Sequence, residues 1–100
     1  MDVRRKVDAG VLTLYVEGHV DSKNANEFNR EVMAALDDAP GAAVVIDMEK
    51  LEYMSSAGLR VLMKVIRRTN GAVKAINVSP DICDIFEITG FDEMMEVHGR

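Results

Sequence analysis

The seven residues Ala42-Ala43-Val44-Val45-Ile46-Asp47-Met48 form a nearly unbroken apolar run, with Pro40-Gly41 before it and Glu49-Lys50 after it. Few stretches restrict a fold as tightly. A short run rich in Val and Ile between turn residues reads as a strand. The lack of apolar/polar alternation implies a strand covered on both faces, the pattern of a parallel, central strand in an α/β sheet. Ala72 to Val78 reads as a second buried strand.

The remaining elements follow from turn residues and spacing. Val3 to Val7 and Val11 to Glu17 flank Asp8-Ala9-Gly10 and read as an antiparallel hairpin at a sheet edge, with Leu12, Leu14 and Val16 on one face. Gly18-His19-Val20-Asp21-Ser22 breaks that strand and supplies capping side chains. Ala25, Phe28, Val32, Ala35 and Leu36 then recur at helical intervals as far as about Asp37. Glu49 to Met54 is expected to loop over with Leu51 and Tyr53 tucked inward. A second helix runs from about Ala57 to Thr69, its apolar stripe Leu59, Leu62, Val65 and Ile66 and its basic stripe Arg60, Lys64, Arg67 and Arg68. Leu62 is thus expected in the core and Arg60 at the surface. Asn70-Gly71 stops this helix, and Ser79-Pro80-Asp81 opens a third, with Ile82, Ile85 and Phe86 facing inward until Thr89-Gly90. Phe91 to His98 is a terminal element, either strand or helical turn, with Phe91, one of Met94 and Met95, and Val97 inward.

The order β-β-α-β-α-β-α gives an α/β fold: a mixed β-sheet with an antiparallel N-terminal hairpin, then parallel βαβ units, and helices packed on the sheet. One hundred residues are read as a single small domain spanning residues 1–100. A net charge of −5 argues against a phosphate-backbone binder, so nucleic acid is not an expected partner. No apolar run is long enough for a signal peptide or a membrane span, so a cytosolic protein with no membrane partner is expected. Cys83 is the lone cysteine and the two histidines are far apart, so no disulfide, metal site or cofactor is expected. Cys83 is read as small packing on a helix. Met33, Met48 and Met63 are read as core filler.

The functional signal lies in Tyr53-Met54-Ser55-Ser56-Ala57-Gly58-Leu59-Arg60-Val61-Leu62. Two hydroxyls immediately precede a helical apolar run, where unpaired backbone N–H groups favour either a side-chain cap or a phosphate. From the residues alone both readings stand. Leu51 to Leu62, after the strand Ala42 to Met48, resembles the phosphorylation segment of STAS domains, in particular the bacterial anti-sigma factor antagonists. In the best-known members a hydrophobic pair precedes Asp-Ser-Ser-Gly-Leu, and the first of the two serines is phosphorylated by the partner kinase. Counting back from Gly58, the resemblance puts the acceptor at Ser56, with Ser55 in the place of the family Asp and as the second candidate. Ala57 takes the place of the second hydroxyl residue. Gly18 to Asn24 is similar to the STAS loop after the second strand, whose Asp corresponds to Asp21. The resemblance implies a partner-binding surface of Asp21, Ser22, Ser55, Ala57 and Gly58; Arg60, on a basic stripe that reads either as a solvated face or as a partner contact, joins them as the cation one turn from Ser56.

By that resemblance, the unphosphorylated protein binds an anti-sigma factor that is also a serine/threonine kinase and frees a sigma factor. Phosphorylation of Ser56 breaks the complex and a PP2C-type phosphatase restores it. The alternative is a STAS scaffold or ligand-sensing module without a covalent switch. An enzyme with a nucleophilic Ser56 is disfavoured, because neither Gly-x-Ser-x-Gly nor Ser-x-x-Lys surrounds it.

Overall fold

The hairpin at the N-terminus sets the sheet. In a computed structural model that describes residues 1–100, strands β1 (Asp2–Asp8) and β2 (Val11–Val20) pair antiparallel, with Val3 opposite Val16 and Val7 opposite Leu12. Ala9 and Gly10 both take positive φ, +50° and +78°, as a tight two-residue hairpin turn requires. Helix α1 (Ala25–Asp38) leads to β3 (Ala43–Asp47), which lies parallel to β2 with Leu14 beside Ile46. After β4 (Leu51–Met54) and helix α2 (Ser56–Thr69) comes β5 (Val73–Val78), parallel to β3. Helix α3 (Pro80–Thr89) and a short 3-10 turn (Phe91–Glu93) precede β6 (Glu96–Gly99), parallel to β5. The terminal stretch is therefore both helical turn and strand.

The strand order is β1-β2-β3-β5-β6. Each crossover advances the sheet in the same direction, so right-handed connections carry α1, α2 and α3 to the same face. The other face has no helix over it. This corrects the expectation of a strand covered on both sides: Val44, Ile46 and Met48 are buried, whereas Ala43 is exposed and Val45 and Asp47 are half-buried. Apolar Ala43 and Val45 lie on the open face, where neighbouring strands shield them only partly, and that is why the run shows no alternation.

The helix-covered face holds one cluster of 24 buried residues that draws on every helix. Leu12, Leu14, Phe28, Ile46, Leu62 and Phe86 are among its fully buried members, each worth about 1.5–3 kcal/mol of transfer free energy. Phe86 stacks on Phe91 with ring centroids 5.9 Å apart, fixing the 3-10 turn against α3. Met95 goes inward and Met94 stays exposed; Val97 is partly buried. Met48 is fully buried, and Met33 and Met63 pack partly against the core. Cys83 is half-buried on α3 with Sγ 3.7 Å from the Val78 carbonyl, and burial, then Glu87 and Asp84, pushes its thiol pKa up. No helix is long and apolar enough to cross a membrane.

Three local readings change. Gly18 to Val20 does not end β2, because the strand continues through a register shift to pair with β4. The segment expected as a loop is thus the strand β4, with Leu51 and Met54 buried but Tyr53 turned outward, 48% exposed. On α2 the buried positions are Gly58, Val61, Leu62, Val65 and Ile66, with Leu59 only partly buried. A glycine carries no hydropathy signal, so the first member of the true stripe is invisible to periodicity.

Candidate functional site

The β2–β4 pairing brings the two expected functional segments together. Val20 pairs with Met54, and the Ser55 amide donates to the Val20 carbonyl at 2.8 Å. The chain therefore leaves both strands at one end of the sheet, as the Asp21 loop from β2 and the serine turn from β4.

Ser55 is the N-cap of α2. Its backbone is extended, φ −79° and ψ 172°, and its Oγ accepts from the Gly58 amide at 3.3 Å. Ser56 is the first helical residue, one position ahead of the expected start, and is exposed. Its hydroxyl makes no hydrogen bond within the chain, so the two serines differ in kind: one oxygen closes the helix and the other is free. Helix α2 also has no acidic residue in its first turn to oppose the positive end of its dipole.

Gly58 fixes how closely this turn sits on the sheet. A Cβ there would fall 2.8 Å from Met54 Cγ and 2.9 Å from Val20 Cγ1. Its role is close approach, since its φ is ordinary for a helix. Ala57 is half-buried beside it, and Arg60 is exposed and joins no ion pair.

Asp21 does not cap α1, as a cap would need a place three residues later. Its Oδ1 instead accepts from the Lys23 and Asn24 amides at 2.9 and 3.1 Å. Asn24 returns the contact, its Oδ1 accepting from the Asp21 amide at 2.9 Å and its Nδ2 donating to the His19 carbonyl at 2.9 Å. These bonds brace the loop from within, and Ser22 in its middle is exposed. Asn24 was not among the residues singled out from the sequence, although the Asp-x-x-Asn spacing carries the signal. His19 lies beside Tyr53, ring centroids 6.2 Å apart, and 3.5 Å from Glu52.

The expected basic stripe of α2 divides. Arg68 pairs with Asp37 and touches Met33 Sδ at 3.7 Å, and Lys64 Nζ lies 3.5 Å from Asn29 Oδ1, so both reach across to α1. Arg60 and Arg67 remain in solvent.

The model of the STAS domain family matches residues 2–99. The chain belongs to the STAS domain family. Among its relatives, BtrV of Bordetella bronchiseptica, assigned as an anti-sigma factor antagonist, is 37% identical over 89 residues, covering 86% of this STAS domain and 75% of BtrV. The anti-sigma-B factor antagonist of Listeria monocytogenes is 26% identical over 93 residues, covering 90% of this chain and 81% of the relative. In three dimensions the domain superposes on an anti-sigma factor antagonist from Mycobacterium paratuberculosis with a TM-score of 0.87 and 22% identity, over 99% of this chain and 86% of the other. These relatives bear regulatory names and not those of enzymes.

Proposed function

We propose that this STAS domain is an anti-sigma factor antagonist whose unphosphorylated form binds an anti-sigma factor with serine/threonine kinase activity, so freeing a sigma factor. The contact surface is the serine turn with Ser55, Ala57, Gly58 and Arg60, together with Asp21 and Ser22 of the adjoining loop. Ser56 is the phosphate acceptor, and a PP2C-type phosphatase reverses the modification. The observation that carries this reading is the difference between the serines, because only Ser56 presents an exposed, unbonded hydroxyl at the start of α2. A phosphate there adds about −1.5 to −2 charges where a helix dipole tolerates them, so the fold survives and the surface changes.

A thousandfold loss of affinity corresponds to about 4 kcal/mol. One exposed charge pair supplies only about 0.2–1 kcal/mol, so the phosphate acts mainly by bulk and by its own desolvation at a packed interface. The test is calorimetric titration of the cognate anti-sigma kinase with wild type, phosphoprotein, Ser56→Ala and Ser56→Glu, with the modified residue located by mass spectrometry. Ser56→Ala binds and resists phosphorylation; Ser56→Glu binds less well than wild type but better than the phosphoprotein. Phosphate on Ser55, or undiminished affinity of the phosphoprotein, refutes the proposal.

A further inference from the structure

Beside the serine turn, the N-terminal parts of α1 and α2 line an open groove of about 200 Å³. Its floor is small and apolar, Ala25, Ala57 and Val61, and its walls are Asn26 and Asn29 on one side and Arg60 and Lys64 on the other. No carboxylate lines it, in a chain that carries 17 Asp and Glu against 12 Lys and Arg. Along the α1/α2 seam the carboxylate of Asp37 lies about three helical turns from Asn26 and is already paired with Arg68. The groove is therefore a local reversal of the protein's overall charge. It is too small and open for a drug-sized ligand, whose pockets run to about 300–1,000 Å³ and bury most of the molecule. Two cations facing two amides across a small apolar floor suit carboxylates spaced along a peptide chain.

We infer that this groove docks an acidic segment of the same partner that contacts the serine turn. The inference rests on the proposed function and extends it: the partner carries two or more Asp or Glu side chains next to the element that approaches Ser56. Lys64 and Asn29, already within 3.5 Å of each other, form the far end of the track, and Ala57 and Ala25 let the segment lie close to both helices. Charge pairs of this kind raise association rate and specificity, and they weaken with salt.

The test is the affinity of the cognate anti-sigma kinase for Lys64→Glu, Asn29→Asp and the control Lys6→Glu, measured at low and high salt, with thermal melting to verify folding. Lys6 is an exposed cation on β1, away from the groove. Lys64→Glu and Asn29→Asp each weaken binding about tenfold or more at low salt and flatten its salt dependence, while Lys6→Glu matches wild type. Wild-type binding left unaltered by both groove variants, or equal losses from Lys6→Glu, overturns the groove and leaves the proposed function standing. Failure of wild type to bind the kinase at all overturns both. Concentration-dependent self-association abolished by Lys64→Glu overturns the inference in favour of a second copy as the occupant.

Discussion

Gly58→Ala tests how tightly the serine turn is held against the sheet. In an open helix this change stabilises by about 1 kcal/mol, so propensity predicts a gain. The structure predicts a loss. The added methyl meets Met54 Cγ at 2.8 Å and Val20 Cγ1 at 2.9 Å. Met54 has flexible torsions and can move, whereas Val20 is β-branched and fully buried on β2, so it has little room to turn. Overpacking of this kind costs about 1–3 kcal/mol, which leaves a net loss of roughly 0–2 kcal/mol after the propensity gain. Each kcal/mol lowers the melting midpoint by roughly 4–8 °C in a domain of this size. Urea denaturation of Gly58→Ala, Val20→Ala and the double mutant isolates the cause. Val20→Ala alone costs about 1–3 kcal/mol, but it opens space for the new methyl, so the double mutant is more stable than the sum of the two losses by at least about 1 kcal/mol. Gly58→Ala more stable than wild type by the full helix-propensity gain, or an additive cycle, would refute the argument.

The two serines separate in stability as they do in geometry. Ser55→Ala removes the bond to the Gly58 amide and lowers stability by about 1 kcal/mol, while Ser56→Ala stays within roughly 0.5 kcal/mol; the reverse order in denaturant would reassign the cap. At the other sheet edge, His98 Nε2 lies 2.7 Å from Glu96 Oε2 and Lys74 Nζ 3.4 Å, which hold the Glu96 carboxyl below its ordinary 4.5. A lowered folded-state pKa means that its contribution is present above pH 4.5 and is lost as pH falls through the folded value. Carboxyl NMR titration should show the Glu96 pKa rising in His98→Ala, and an unchanged midpoint would remove His98 as the main cause.

Local chemistry is what the sequence by itself determined. Ser79-Pro80 opens α3, with Ser79 Oγ accepting from the Ile82 amide at 3.3 Å, and Asn70 closes α2 in a left-handed conformation, because caps depend on residues within one turn. The order of strands and helices was legible for the same reason apart from β4, read as a loop, and the terminal β6, left open between strand and helical turn, and so was Leu62 in the core with Arg60 at the surface. The serine segment marked a helix start, and it was the resemblance to the STAS phosphorylation segment, aligned on Gly58, that pointed to Ser56. Only the tertiary structure decided which face of the sheet the helices cover, since that depends on strand order and crossover hand, to which Val44 and Val45 contribute alike as apolar residues. It also decided that Gly18 to Val20 extends β2, because the hydrogen bonds that keep it a strand come from β4, more than thirty residues away. That pairing sets the Asp21 loop beside the serine turn. The free hydroxyl of Ser56 is likewise a tertiary result: Ser55 becomes the cap where its amide is fixed on the Val20 carbonyl, and the next residue is left facing solvent.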